Sequence, residues 1–230
     1  MNKNIMAYEN LLNDYVFLYE KVLAEKRFHK INSLKHLMSQ FITAKNSFIE
    51  KDASISANFN PLKLFNLELD ENSHSNIIAW LFDPYETHSQ GNIFFKAFLD
   101  YFDYEATYAD YEYQVIREFS GQESIVDILV YSKEFIFYIE NKVLSLEGDN
   151  QTDREFSDMI RLAASLNIEE KKSHAIYLSP SGIRPQNENF KAISYLELAR
   201  SMETTLESIA SKYIRLFLGS WLMTIKAIRR

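Results

Sequence analysis

EFSGQESIVDILVYSKEFIFYIENKVLSLEGDNQ, Glu118–Gln151, contains two apolar segments, SIVDILVY (Ser124–Tyr131) and EFIFYIENKV (Glu134–Val143). They read as strands joined by a polar turn around Ser132-Lys133-Glu134. Three charges interrupt them: Asp127, Glu140 and Lys142. Strand interiors disfavour Asp, Glu and Lys, and a buried charge is costly unless it is paired or bound to a metal. A turn centred on Lys133-Glu134 sets Asp127 directly across from Glu140, with Cβ atoms about 4.5–5.5 Å apart. Lys142 follows Glu140 by two and projects from the same face. Like charges at that spacing repel, and a divalent cation on hard carboxylate oxygens, with an ammonium beside it, removes the conflict. Lys133-Glu134 is not a favoured type I′ pair, and a three-residue loop would shift the register.

The rest of the chain has the means for a large core. Its 230 residues are 47% apolar, enough for one domain or one domain with an appended subdomain. Cysteine is absent, which excludes a disulfide framework. The start, MNKNIMAYENLL, lacks the apolar run and small-residue cleavage site of a signal peptide, and no stretch reaches the length of a membrane span. A cytoplasmic location is the expectation. The net charge of −7 works against tight non-specific nucleic-acid binding, although local basic groups and metal ions govern the approach to phosphate. There is no internal repeat, Gly-rich phosphate loop, zinc-ligand spacing or helix-turn-helix signal, and nothing marks a serine or cysteine nucleophile.

Ile5, Tyr8, Leu12, Tyr15, Tyr19 and Val22, then Ile31, Leu34, Met38, Phe41 and Phe48, recur at helical spacing. A polar break near Arg27–Asn32 predicts an antiparallel helical hairpin over residues 1–52. The connector KDASISANFN, Lys51–Asn60, sets it apart from a domain over 59–230. The hairpin's stripes serve either packing or a surface for a second copy or a partner subunit. Asp70-Glu71-Asn72-Ser73 then offers capping residues before the apolar helix IIAWLF, which Asp83-Pro84 stops. A second helix over 92–102 presents Ile93, Phe94, Ala97, Phe98 and Tyr101 on one side. The tract Tyr101–Ile116 mixes tyrosines with acids that repel phosphate, so it reads as packed surface or partner contact rather than a base-stacking platform. Its end, YEYQVIREF, reads as the first of three meandering strands.

Beyond the loop Leu144–Gly148, Asp149-Asn150 is a credible cap for a helix from Gln151 to about Asn167. Phe156, Met159, Ile160, Ala163 and Ala164 line one face of that helix, and Arg154 and Arg161 are either solvated surface or phosphate contacts. HAIYL forms the next strand, and strand–helix–strand order implies a parallel crossover. A short strand follows around Ala192–Ser194. Leu196–Arg230 reads as helical, anchored by Leu198, Met202, Leu206, Ile209, Tyr213, Leu216 and Leu218. The fold class is α/β: a core of helix, three-strand meander, helix and strand around a mixed central sheet, with added helices at both ends.

The set Asp127, Glu140 and Lys142 on adjacent strands resembles the D…E-x-K signature of the PD-(D/E)XK nuclease superfamily, which has the restriction-endonuclease-like fold. Four ordered motifs resemble a bacterial subgroup. They are E-x-x-H-S…W-L-x-D-P (Glu71, His74, Ser75, Trp80, Leu81, Asp83, Pro84), the aspartate, I-E-N-K followed by Gln151, and YLSPSG (Tyr177–Gly182). The resemblance spans about residues 59–182. The chain departs from it at Glu123-Ser124-Ile125-Val126, where a Gly-Arg-like turn is usual, and at Thr152 and Glu155, where the subgroup shows Leu and Tyr.

The resemblance implies an Mg²⁺- or Mn²⁺-dependent endo- or exonuclease. Asp127 and Glu140, assisted by the backbone carbonyl of Asn141, would hold the metal, and Lys142 would orient the attacking water. Glu71 would bring a third acidic group from the first core helix; its other reading is a helix-start cap. Gln151 would contact a substrate phosphate or the water. His74 and Ser75 read as a structural pair tying helix to loop. DNA is the implied substrate with RNA as the alternative, and the implied role is defence against phage or other foreign DNA. Two rival readings remain: a non-cleaving nucleic-acid-binding or protein-interaction module on the same fold, and a nuclease subunit that needs a partner for activity.

Overall fold

The structure is a computed structural model that describes residues 60–228, together with 18, 21, 22, 25, 26, 28–30, 32, 33, 35–43 and 47. The chain divides into two compact units, Met1–Phe59 and Asn60–Arg230. In the first unit every described residue is helical. The expected hairpin lies largely outside the described residues; at its expected break, His29, Lys30, Asn32 and Ser33 are helical.

The second unit is built on five strands in the order β1-β2-β3-β4-β5. β1 (Gln114–Ser120), β2 (Ile125–Tyr131) and β3 (Ile136–Asn141) form an antiparallel meander. β4 (Ser173–Ser179) and β5 (Phe190–Ser194) add on in parallel. This is the mixed α/β sheet that the sequence predicts. β3 is the middle strand and is buried at every position, the apolar run Ile136–Ile139 and also Glu140 and Asn141 at its end.

Ile128 faces Ile139, and Tyr131 faces Ile136. The Ser132 N–H donates to the Phe135 carbonyl at 3.0 Å, and Ser132 Oγ accepts from the N–H groups of Glu134 and Phe135. That serine supplies the turn chemistry which Lys133-Glu134 lacks. Continued by one step, the register puts Asp127 across from Glu140.

Helices α1 (Glu71–Phe82), α2 (Ile93–Tyr101), α4 (Tyr195–Glu203) and α5 (Lys212–Ala227) share one core with one face of the sheet, and α3 (Gln151–Leu166) packs on the other. Two expected helix faces are rotated. On α2 the buried residues are Phe94, Phe95, Phe98 and Leu99, while Tyr101 is partly exposed, because Phe95 and Phe98 meet Phe137 of the sheet. On α5 the buried stripe is Leu218, Trp221, Leu222 and Ile225; Tyr213 and Leu216, expected as anchors, are 82% and 59% exposed. The stripe runs from Ile214, which packs against the core, through Leu218 at steps of three and four. In the tyrosine tract Tyr108 and Tyr113 are buried, in keeping with packing rather than base stacking.

The start of α3 also differs from expectation. Asn150 takes a left-handed φ of 49° and makes no side-chain cap. Glu147 caps instead: its Oε1 accepts from both the N–H and the hydroxyl of Thr152, and its Oε2 from the Gln186 N–H at 2.8 Å. The β1–β2 turn is fastened to the same helix. Asp158 Oδ2 accepts from the N–H groups of Glu123 and Ser124 and from the Ser124 hydroxyl, and Arg161 bridges Asp158 and Glu123. Arg161 is therefore committed to structure. A Cβ at Gly121 would lie 2.3 Å from Asp158 Oδ2, so glycine is what lets the turn come this close. No helix among the described residues is long and apolar enough to cross a membrane.

Candidate active site

The charged residues expected at the site converge where β2 and β3 run out beside the starts of α1 and α3. Asp127 Oδ2 accepts the Asn141 N–H at 2.9 Å, so a side chain takes over where the β2–β3 ladder ends. Glu140 is almost fully buried. Its Oε1 takes two donors, Lys142 Nζ at 2.6 Å and Gln151 Nε2 at 2.5 Å. Its Oε2 is buried with no hydrogen-bond partner. Gln151 Nε2 also donates to Glu155 Oε1 at 2.8 Å, and Gln151 Oε1 accepts from the Gly148 N–H. The glutamine is thus a brace between two carboxylates.

Glu71 is the first residue of α1, but the cap is Asp70, which accepts from the Ser73 N–H at 2.8 Å. Glu71 reaches the loop after β3 instead. Its Oε2 accepts from the Val143 N–H at 2.8 Å and the Ser145 hydroxyl at 2.7 Å, and its Oε1 lies 3.9 Å from Lys142 Nζ. Asn141 is fully buried; its amide donates to Ser75 Oγ, and its Oδ1 accepts from the Tyr195 hydroxyl. The Trp221 N–H donates to His74 Nδ1, which leaves Nε2–H to donate to the Glu68 carbonyl at 2.8 Å. Burial holds the His74 pKa below the usual imidazole value. His74 and Ser75 are both fully buried and hydrogen-bonded within the protein.

Burial is the first cause that lifts the Asp127 pKa above its ordinary value, opposed by the Asn141 N–H and by the Arg117 and Lys142 charges. Burial, and then the charge of Asp127, push Glu140 up to about 7. Burial works against the Lys142 ammonium, but Glu140 outweighs it and the pKa is raised. Lys142 is a fixed cation here, and a poor base.

The model of the PD-(D/E)XK nuclease superfamily matches residues 59–223, and it covers this entire cluster. The chain belongs to the PD-(D/E)XK nuclease superfamily. Neither a comparison with curated proteins nor one with solved structures gave a match. Members of this superfamily typically use a divalent metal. Among the described residues no group of three or more His, Cys, Asp or Glu side chains is placed to hold an ion unaided. Mg²⁺, however, keeps several waters and takes one or two carboxylates plus substrate phosphate oxygens. Asp127 and Glu140, with the orphaned Glu140 Oε2, fit that pattern.

Two residues beside this cluster were not read from the sequence as candidate site residues. Glu155, one turn beyond Gln151 on α3, is fully buried, and its Oε2 also lacks a partner. Burial, and then the charge of Glu140, push its pKa up to about 9. A signal existed: Thr152, Glu155, Met159 and Ala163 form one buried stripe at helical spacing, with an acid in it. Arg117 on β1 is the second; it donates to the Asp127 carbonyl and, through Nε, to Asn76 Oδ1 at 2.8 Å. Beside these groups lies a cleft of about 540 Å³ between the β1–β2 turn and α3, bordered by Ser124, Gln151, Arg154 and Glu155.

Glu155 predicts an unusual pH dependence. The folded protein holds its proton up to about 9, whereas the unfolded chain releases it near 4.5. The stabilisation is complete below about pH 4.5, falls as the pH rises towards 9, and is flat above that. Glu155→Gln keeps the bond from Gln151 and offers a donor to Glu140 Oε2. The variant is expected to be more stable by about 1–3 kcal/mol at about pH 8, with a shallower pH slope in chemical denaturation. An unchanged slope would show that the carboxyl is not buried in the folded state.

Proposed function

We propose that the chain is a metal-dependent phosphodiesterase acting on nucleic acid, with DNA as the substrate. The observation that carries this reading is the convergence of Asp127 and Glu140 where the β2–β3 ladder ends, with Lys142 clamped on one Glu140 oxygen and the other oxygen buried without a partner. Four carboxylates, Glu71, Asp127, Glu140 and Glu155, stand against two cations, Lys142 and Arg117. In the metal-free protein burial, and then the charge of Asp127 on Glu140 and of Glu140 on Glu155, raise the pKa values of these two glutamates.

Asp127 and Glu140, assisted by the Asn141 carbonyl, would hold Mg²⁺ or Mn²⁺. Such an ion lowers the pKa of a bound water and offsets charge developing on the phosphate. Lys142, held protonated by Glu140, orients the attacking water and stabilises the charge on the scissile phosphate oxygens. Glu71 holds the loop that follows Lys142 and helps to aim the ammonium. Gln151 keeps Glu140 in its rotamer. Arg154, half-buried at the edge of the cleft, is a candidate contact for a flanking phosphate.

The rival reading of a silent binding module draws on the net charge of −7. The intact Asp-Glu-Lys set favours the enzyme. The test is incubation of the full chain with plasmid, linear duplex, single-stranded DNA and RNA in Mg²⁺, in Mn²⁺ and in EDTA. DNA cleavage in either metal and none in EDTA is the expected result. Absence of cleavage on every substrate overturns the reading.

A further inference from the structure

We infer that Arg117 is a positioning residue for Asp127, because its guanidinium replaces a missing rung of the β1–β2 ladder at the site. This inference rests on the nuclease reading above for its activity arm, but not for its binding arm. The ladder pairs Arg117 with Ile128 and Phe119 with Val126, and it skips the step between, where Glu118 would face Asp127. Glu118 has a left-handed φ of 49°, a conformation unfavourable for a residue with a Cβ. The side-chain alternation slips there too: Ile116 and Phe119, three apart, both pack on the α3 side of the sheet.

The skipped step interrupts the ladder at Asp127. Arg117 fills the place, donating through Nη1 to the Asp127 carbonyl while Nε anchors on Asn76 Oδ1 of α1. The same Nη1 lies 3.8 Å from Asp127 Oδ1, and Nη2 lies 3.9 Å from Glu118 Oε1. One planar fork therefore ties β1, the Asp127 backbone and α1 together. A lysine has the charge but not the two divergent donors. The Asp127 carboxylate is held from one side by the Asn141 N–H, and its backbone from the other by Arg117.

The sign of a metal-affinity change separates positioning from simple charge balance. If Arg117 were only a counter-charge, its removal would strengthen cation binding at Asp127 and Glu140. A positioning role predicts the opposite, since a misplaced carboxylate is a poorer ligand. Mn²⁺ binding by titration calorimetry is expected to weaken about 10-fold in both Arg117→Ala and Arg117→Lys, as for loss of a group that orients a metal ligand. Cleavage is expected to fall about 100-fold in kcat with little change in KM, the cost of a small misplacement.

Asn76→Ala removes only the exposed anchor of the guanidinium. It is expected to show a smaller loss of the same kind, and it decides the matter if both Arg117 variants fail to fold. Unchanged or tighter Mn²⁺ binding in the folded Arg117 variants, or, where neither folds, in Asn76→Ala, overturns the inference. A wild-type chain that binds Mn²⁺ but cleaves nothing would sink the nuclease reading, while the Mn²⁺ arm would still judge Arg117.

Discussion

Lys142→Met is expected to lower cleavage by about 1,000-fold, which corresponds to roughly 4 kcal/mol of transition-state stabilisation. Lys142 Nζ is 2.6 Å from Glu140 Oε1, and its side chain is 12% exposed, so neither water nor another cation can readily take its place. The substitution removes the ammonium and keeps an unbranched chain of similar length. It also frees Glu140 Oε1 from its strongest donor. In the metal-free protein the remaining carboxylates should then hold protons more tightly, since Lys142 is one of the groups that lower Glu140 and Glu155.

Mn²⁺ affinity is therefore expected to stay level or rise at alkaline pH, where those protons are released. Duplex binding in Ca²⁺ should change little. In the binding-module reading Lys142 is one phosphate contact among several. Its loss would weaken binding and reduce the salt slope by about one, with no cleavage to lose. Single-turnover cleavage, Mn²⁺ titration and binding at several salt concentrations on this one variant separate the two readings. Wild-type cleavage in Lys142→Met would remove the lysine from the mechanism.

The architecture and the register were legible because they rest on patterns of period two. Two apolar segments flank a short polar turn, and counting outward from it places Asp127 opposite Glu140; the observed pairs Ile128–Ile139 and Tyr131–Ile136 follow that count. The turn chemistry itself was not anticipated, because it comes from the Ser132 hydroxyl rather than from the two residues at the tip. Helix faces were less legible. On α2 nearly every residue is apolar, so periodicity selects no face, and the sheet phenylalanines choose it.

At the site, what escaped the sequence depends on irregular backbone or on charges within one helix. Glu155, four after Gln151, stood in the sequence only as a departure from the subgroup pattern, and it joins the cluster once the buried stripe of α3 is traced. Arg117 is visible only once Glu118 has broken the strand. Glu71 was read as a third acidic group at the site or as a helix-start cap. It is not the cap, because Asp70 caps α1; Glu71 Oε2 instead binds the Val143 N–H and the Ser145 hydroxyl, while its Oε1 lies 3.9 Å from Lys142 Nζ. Adjacent acids at a helix start are interchangeable in a sequence and distinct in space.

Asp127→Asn is expected to abolish metal-dependent cleavage, with a loss of at least about 1,000-fold, while leaving the fold at least as stable as before. Asparagine keeps an oxygen that can accept the Asn141 N–H, now at 2.9 Å from Asp127 Oδ2. It removes the negative charge that faces Glu140. Relief of a cross-strand like-charge pair is worth about 0.2–1 kcal/mol in the metal-free protein. Because Asp127 stands second only to burial in raising the Glu140 pKa, that pKa should move down towards the ordinary carboxylate value. Mn²⁺ binding should weaken, since one of two hard anionic ligands becomes neutral. Asp127→Ala is the informative companion. It loses the same charge but leaves the buried Asn141 N–H without its acceptor, which costs about 1–3 kcal/mol. Cleavage should be lost equally in both variants, and stability should differ between them. Equal stabilities would show that the Asn141 bond is not made in the folded protein. Near-wild-type cleavage in Asp127→Asn would show that the acid opposite Glu140 takes no part in the chemistry.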